Sequence, residues 1–297
     1  MGIYEEISSN KRRSILLIFL FFIVILILGY VFGAIFFDPF IGLFLALFIS
    51  IVFTLISIFS GDKMVLSMMK AKEAKKPEHT YLINTVEGLA IAAGIPKPKV
   101  YVVEEDSPNA FATGFKPKKA SVTVTTGLLK LMNKQELEGV IAHEMSHIKN
   151  YDIRFMILVA TLVGISVLIS DLILRSLFWG SYGHRGRDNR AGGYIIVIGL
   201  VLAIITPIIV QLIKMAISRR REFLADASGA MLTRYPMGLA DALRKIGKDK
   251  EPMVRGANRA VSHLFIADPM RAVGSKVKHW FSTHPDINER IRRLEKM

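Results

Sequence analysis

Two long apolar runs open the chain and are separated by a short polar break. Residues 15–37 carry no charge, and residues 40–59 are all apolar or small, with Asp38 and Pro39 between the runs. About 20 apolar helical residues, each rising 1.5 Å, are enough to cross the roughly 30 Å hydrocarbon core of a bilayer. The pattern therefore predicts two membrane-spanning helices joined by a tight turn.

Two further apolar runs, residues 155–170 and 194–213, lie later in the chain. They either span the membrane as a second hairpin or pack as buried, partly re-entrant helices. Their linker, residues 180–193, carries three arginines, and basic loops tend to stay in the cytoplasm. The basic residues on the near side outnumber those of the linker, so spanning is the favoured interpretation.

Basic residues flank the first hairpin on both sides. Residues 11–13 (Lys-Arg-Arg) precede it, five lysines follow it between residues 63 and 76, and the turn contains only Asp38. Because lysine and arginine accumulate on the cytoplasmic side of a membrane protein, we expect both ends of the hairpin in the cytoplasm.

Between and after the apolar runs, the pattern changes to that of a small soluble domain. Apolar residues at helical spacing and clusters of β-branched residues predict a mainly α fold with a small β-sheet, carried by an integral membrane α-helical protein. Asn133 is a candidate N-cap of the helix that contains residues 135–140. The predicted strands are residues 99–104 and 120–126 with a short third strand within 109–114, and the other predicted helices are 81–93, 219–230, 238–246 and a terminal helix from Asp286.

These elements suggest four consecutive parts of the chain. The first is a transmembrane hairpin, and the third is a second hydrophobic hairpin that divides the soluble domain into two parts. The predicted boundaries are 1–62 for the first hairpin, 63–154 for the first part of the soluble domain, 155–217 for the second hairpin and 218–297 for the second part of the soluble domain.

Composition and charge agree with a membrane location. Hydrophobic residues make up 52% of the 297 residues, and the formal net charge is +14. Excess cytoplasmic lysine and arginine account for this charge, whereas no basic stripe interleaved with aromatic residues points to nucleic acid. The chain has no cysteine, so a zinc site would have to use histidine and carboxylate ligands.

The clearest chemical motif is His143-Glu144-Met145-Ser146-His147, in a segment with helical periodicity. On a helix, His143 and His147 lie one turn apart on the same face, so both imidazoles could reach one metal ion. Glu144 is rotated by about 100° on a 3.6-residue turn and could instead take a proton from a water molecule activated by that metal. A five-residue pattern with two free positions also occurs by chance, so the motif alone leaves both interpretations open.

A second cluster of acids supplies a candidate third ligand. Glu222 and Asp226 are four residues apart on a predicted helix and therefore share a face. Two histidines and a glutamate form an established catalytic zinc set, with Asp226 free to hold the second ring nitrogen of a ligand histidine. The alternative is a solvated Glu222 that pairs with Arg219 or a neighbouring arginine. His147 lies shortly before the third apolar run and Glu222 shortly after the fourth, so we expect the two helices to meet just above the membrane.

The ordered motifs of this chain resemble the HExxH family of membrane-bound zinc metallopeptidases that includes the prenyl-protein endopeptidase Ste24. The resemblance runs from near Lys11 to the C-terminus. It implies a gluzincin-like metalloprotease domain, one zinc ion on His143, His147 and Glu222, and Glu144 as general base. The motifs that carry it are PNAFATG at 108–114, HEMSHIKNYD at 143–152, RREFLADASGA at 220–230 and STHPDINERI at 282–291, with the two N-terminal apolar segments and the later hydrophobic hairpin.

Smaller expectations follow from the same resemblance. His284 resembles a family histidine that donates a hydrogen bond to the oxyanion, although it could equally be a surface cap before the last helix. Asn109, Ala110, Phe111 and Ala112 resemble the edge strand on which an extended substrate adds, although an ordinary edge strand would look the same. Asp152 is either a residue that supports a metal ligand or a charge at the membrane interface.

The resulting hypothesis is a multi-pass zinc endopeptidase of the cell inner membrane. The resemblance implies that it degrades misfolded or damaged membrane proteins at the cytoplasmic face, as part of a stress response, with polypeptide substrates, the lipid bilayer and other quality-control proteases as partners. One alternative is a non-catalytic membrane scaffold in which the motif is structural. Another is a narrow processing protease that acts on lipidated C-terminal peptides; the short chain leaves little room for the chamber which that substrate needs.

Overall fold

The longest helix in the described part of the chain is the apolar one that follows Asp38. The computed structural model describes residues 38–158, 219–248, 264–266 and 285–297, together with scattered helical positions between residues 12 and 33. Helix α1 spans Pro39–Met68, and the side chain of Asp38 caps it by accepting hydrogen bonds from the N–H groups of Phe40 and Ile41. Pro39 stands at the first position of the helix, where its missing N–H costs nothing. The helix continues past the predicted end at residue 59, and it is the one candidate membrane span among the described residues.

Glycines allow the first apolar run to pack closely against α1. Gly29 and Gly33 lie one helical turn apart, and both face Gly42 near the start of α1. A Cβ atom at Gly42 would collide with the carbonyl oxygen of Gly29 and with the backbone of Gly33. Small residues that let two helix backbones approach are the usual basis of helix association in membranes, so this contact fits the predicted hairpin.

Four short strands form one mixed sheet in the described part of the chain, in the order β1–β2–β4–β3. Strand β2 pairs in parallel with β4, with Val100 opposite Val122, and β3 pairs antiparallel with β4, with Phe111 opposite Thr123. The three predicted strands are thus confirmed, and the short one is Ala110–Thr113. The two-residue β1 was not predicted. The strands are Lys72–Glu73 (β1), Lys99–Val103 (β2), Ala110–Thr113 (β3) and Ser121–Thr125 (β4).

The remaining described helices surround a central one that carries the HExxH motif. This central helix, α4, packs against α5 and α6 on one side and against α2 and the sheet on the other. Residues 152–158 form a further helical segment, and only these first residues of the third apolar run are described. The other helices are Thr80–Ala93 (α2), Thr126–Leu131 (α3), Lys134–Lys149 (α4), Arg219–Thr233 (α5), Pro236–Lys248 (α6) and Ile287–Leu294 (α7), with a 3₁₀ turn at Pro117–Lys119.

Two apolar clusters hold these elements together. The larger cluster buries Val140, Ile141 and Met145 of α4 against residues of the sheet and of α2, α5, α6 and α7. The smaller cluster joins the end of α1, at Val65 and Met69, to the sheet, to helical residues 156–157 and to residues 264–265. The second cluster matters for function because it fixes the end of the apolar helix next to the domain that carries the site.

Candidate metal centre

The helix α4 begins at a well-formed cap and ends close to the motif. Asn133 accepts a hydrogen bond from the N–H of Glu136 (2.9 Å), and the Glu136 side chain accepts one from the N–H of Asn133 (2.8 Å), which confirms the predicted cap. One turn of this helix separates His143 from His147. Both imidazoles are buried, and their Nε2 atoms lie 3.1 Å apart.

Glu222 on α5 reaches both imidazoles. Its carboxylate oxygens lie 3.7 Å from His143 Nε2 and 3.5 Å from His147 Nε2. The close approach of α5 to α4 depends on Gly229, where a Cβ atom would lie only 3.0 Å from the backbone nitrogen of His143. Glu222 is 4% exposed, which rules out the alternative of a solvated helix residue. His143, His147 and Glu222 thus form a candidate metal site.

Each histidine presents its other ring nitrogen to a carboxylate. Asp226 lies 2.9 Å from His143 Nδ1, and Asp152 lies 2.9 Å from His147 Nδ1. An ionised carboxylate only accepts hydrogen bonds, so each Nδ1 carries a hydrogen, and the neutral form of each ring then has its lone pair on Nε2. Such partners fix the ring orientation of metal-binding histidines. The structure therefore resolves the two interpretations of Asp152 in favour of a residue that contacts His147.

The distances between the three donor atoms suit a tetrahedral cation bound between them. The nitrogens of two neutral imidazoles and a carboxylate repel each other at 3.1–3.7 Å unless a positive charge, from a metal ion or a proton, lies between them. Ligands about 2.0–2.1 Å from a tetrahedral ion are themselves separated by roughly 3.4 Å, which matches these distances. Electrostatics point the same way. Burial would lower the pKa of His147, but Asp152 and Glu222 raise it to about 9, so positive charge is favoured at this point.

Glu144 lies beside the donor atoms and is also buried. Burial raises the pKa of its carboxyl group, and the neighbouring His143 and His147 offset this effect only in part. The side chain is not needed to complete the three-donor cluster. It is therefore free to exchange a proton with a molecule held at that cluster.

Arg290 is a buried site residue that the sequence patterns did not single out. Its guanidinium is 1% exposed and donates from Nε and Nη2 to the carboxylate of Asp226, at 2.9 and 2.7 Å. Burial would raise the pKa of Asp226, but Arg290 and His143 outweigh it and lower that pKa well below its usual value. The sequence of α7 did contain a signal that Arg290 is buried, because Arg290 shares the apolar face formed by Ile287, Ile291 and Leu294.

The predicted substrate-binding residues Asn109–Ala112 lie at the edge of the sheet, but this edge is partly occupied. The carbonyl of Asn109 faces β4 and accepts from the N–H of Thr125 (3.0 Å), so the carbonyl of Ala110 faces outward. That carbonyl already accepts from the N–H of Ile266 (2.9 Å), and the ring of Phe265 packs edge-on against Phe111 with centroids 5.0 Å apart. The edge is therefore not open at Ala110.

Several sequence predictions fall outside the described residues. His284 is among them, so its two interpretations both stand. Most of the two later apolar runs, and the arginine-containing linker between them, also lie outside the described part of the chain.

Comparison with known proteins gives a consistent family. The model of peptidase family M48 matches residues 76–297. A protein named Protease HtpX homolog from Caldanaerobacter subterraneus is 48% identical, with 99% of this chain and 98% of the relative covered. Proteins of the same name from Thermoanaerobacter pseudethanolicus (46%; 99% and 98% covered) and Streptococcus gordonii (42%; 99% and 100% covered) are also similar.

A solved structure supports the fold assignment. The crystal structure of S. mikatae Ste24p superimposes with a TM-score of 0.53 at 19% sequence identity, over 92% of this chain. The present chain spans 62% of the length of that protein. At this identity, the similarity concerns the fold: a mainly helical protein with a small mixed sheet.

Proposed function

Because this chain belongs to peptidase family M48 and is a membrane metallopeptidase, we propose that His143, His147 and Glu222 bind one zinc ion and that Glu144 is the general base of peptide-bond hydrolysis. The observation that carries the proposal is the convergence of donor atoms from three buried residues within 4.8 Å of one another. Two carboxylates that orient the histidines support it.

Zinc is the metal that this donor set favours. Two imidazoles and one carboxylate leave a fourth position of a tetrahedral ion open, as catalytic zinc sites require. Magnesium and calcium prefer sites made only of oxygen atoms, and thiolate-preferring ions would lack their ligand because the chain has no cysteine.

The protein side chains divide the chemistry between them. A bound zinc ion acts as a Lewis acid that polarises the scissile carbonyl and lowers the pKa of the attacking water. Glu144 accepts the proton of that water and passes it to the leaving amine. Its raised pKa, caused by burial, brings the carboxylate closer to the working pH of a general base. Such proton transfer contributes typically about 10²–10⁴-fold to the rate.

We assign the substrate to the class of extended, unfolded polypeptides. The outer edge of β3 offers main-chain groups for an added strand, and Phe111 on this strand lies in the same apolar cluster as the end of α1. An incoming peptide would replace the N–H of Ile266 at the Ala110 carbonyl. A folded domain could not present such a strand, so the proposal restricts cleavage to loops and unfolded segments.

The membrane setting narrows the substrate further, to misfolded or damaged membrane proteins. The second apolar cluster fixes the end of α1 next to the sheet that carries the substrate edge. Exposed lysines follow α1 directly at positions 70, 72, 75 and 76. The positive-inside tendency therefore supports a multi-pass protein of the inner membrane with its site on the cytoplasmic face.

A single purification tests the proposal. The full chain in detergent should contain about one zinc per chain by elemental analysis, and it should cleave an unfolded membrane protein but not the same protein when folded. Protein without metal and without cleavage would instead support a membrane scaffold. Cleavage restricted to prenylated C-terminal peptides would support a narrow processing enzyme and refute the assigned substrate class.

A further inference from the structure

The largest fully buried side chain in the described part of the molecule is Arg290, whose function remains unassigned in the mechanism above. Removing a guanidinium from water is costly unless charged and polar partners replace the water, so each of its contacts is informative. The residue lies on α7, far along the chain from the HExxH motif, and the tertiary structure brings it to the candidate metal centre.

The guanidinium of Arg290 is held by a carboxylate on one side and by the main chain on the other. Nε and Nη2 donate to the two oxygens of Asp226 at 2.9 and 2.7 Å, which is a bidentate pair. Nη1 donates to the carbonyl of Ile266 at 3.0 Å. The planar fork of arginine suits this arrangement, whereas the single ammonium of lysine does not.

The contacted carboxylate is the one that orients a candidate metal ligand. Oδ1 of Asp226 receives Nη2 of Arg290 and also lies 2.9 Å from Nδ1 of His143. On the other side of the guanidinium, Nη1 lies 3.7 Å from Glu222. The buried guanidinium of Arg290 therefore contacts Asp226, the partner of His143, and also lies close to Glu222.

Charge balance gives a second reason for the position of Arg290. Four carboxylates are buried around the site among the described residues, namely Glu144, Asp152, Glu222 and Asp226. A divalent ion would neutralise two of these charges, and Arg290 compensates a third.

We infer that Arg290 is a positioning residue, which holds the Asp226 carboxylate so that His143 directs Nε2 toward the metal. The inference rests on the proposed metallopeptidase function. Arg290 is itself held in place by Ile266, whose carbonyl accepts from Arg290 while its N–H donates to Ala110 of β3.

The test uses the full chain in detergent with variants Arg290→Met, Arg290→Lys and Asp226→Asn, and the double variant Arg290→Met/Asp226→Asn. Arg292→Met is the matched control, because Arg292 lies on the same helix but is exposed and donates to the carbonyl of Asn288 on that helix. The first readout is zinc affinity, from competition with a chelator. The second is the visible absorption spectrum after cobalt replacement, which reports ligand geometry and does not respond to a general loss of stability.

Arg290→Met should lower metal affinity about 10–100-fold, the usual effect of removing a partner of a ligand residue, and should alter the cobalt spectrum, whereas Arg292→Met should change neither. Because Arg290 acts through Asp226, the double variant should bind metal no more weakly than the weaker single variant, within about threefold. Additive losses in the double variant would overturn the inference, and so would unchanged affinity in Arg290→Met.

Arg290→Lys keeps the test decisive if Arg290→Met does not fold. This variant retains the charge but loses the fork, so we expect an altered cobalt spectrum and weakened metal binding. A wild-type spectrum in Arg290→Lys would show that charge alone suffices and would refute positioning. Failure of the wild-type protein to bind zinc would refute the proposed function instead, so the two failures are distinguishable.

Discussion

The carboxylate of Asp152 lies 2.9 Å from Nδ1 of His147, although a break in the helix separates the two residues. Helix α4 ends at Lys149, and Tyr151 then adopts a left-handed backbone conformation with φ of 60°. For a residue other than glycine this conformation costs roughly 1–2 kcal/mol. After this turn, Asp152, the first residue of the next helical segment, contacts His147 in the last turn of α4. Strained backbone of this kind is concentrated at functional sites.

Replacement of Asp152 with asparagine should weaken metal binding by about 10–100-fold without unfolding the protein. Asparagine keeps the size of the side chain but removes the charge that holds the hydrogen on Nδ1 of His147. Chelator competition measures the effect. Asp106→Asn is the control, because Asp106 is an exposed aspartate paired with Lys130 at the surface. Equal metal affinity in both variants would show that Asp152 only caps the turn.

Replacement of Glu144 with glutamine should leave zinc bound and reduce cleavage at least 10²-fold, because glutamine cannot accept a proton from the attacking water. Cleavage of an unfolded protein by the purified variant, with its zinc content measured alongside, checks this expectation. Glu138→Gln is a matched control on the same helix, since Glu138 is exposed. Retention of the wild-type rate by Glu144→Gln would require a different base.

Removal of a candidate ligand should make the unfolding temperature of the protein independent of zinc. A metal that binds only the folded state stabilises it, so a chelator should lower the unfolding temperature of the wild-type protein. His147→Ala and Glu222→Ala should contain less than about a tenth of the wild-type zinc, and the chelator should leave their unfolding temperatures unchanged. A full zinc complement in Glu222→Ala would place the third ligand elsewhere.

Replacement of Gly42 with leucine should loosen the contact between the first apolar run and α1. The new side chain would meet the backbones at Gly29 and Gly33, and such overpacking typically costs about 1–3 kcal/mol. Thermal unfolding in detergent measures the loss. Phe44→Leu on the same helix is the control, because Phe44 is 67% exposed and would face lipid. Equal stability of the two variants would mean that the glycine contact contributes nothing to the hairpin.

Local patterns determined the secondary structure because they depend on residues close together in the chain. In the described part of the chain, the cap at Asn133, the break at Asp38-Pro39, the strands rich in β-branched residues and the helices of the predicted soluble domain were confirmed within a few residues. The exception is the end of α1, which continues through a charged segment to Met68. There the contacts of Val65 and Met69 with the domain extend the helix beyond its apolar run.

Local spacing also placed His143 and His147 on one face of a helix, and Glu222 and Asp226 on one face of another. It could not determine whether the two faces meet, because this depends on the packing of α5 against α4 at Gly229. The sequence alone therefore left Glu222 with two interpretations.

The sequence by itself determined most of the described elements and identified the candidate metal-binding residues. Only the tertiary structure decided that these residues meet, and it added partners that no local pattern had assigned. Arg290 comes from the last helix, and a left-handed turn places Asp152 against His147. Ile266 occupies the edge of β3 at Ala110, where the sequence predicted that a substrate would bind. Each of these contacts joins groups that are distant in the chain or separated by a turn. Their energies come from burial and charge pairing, which no periodicity of apolar residues records.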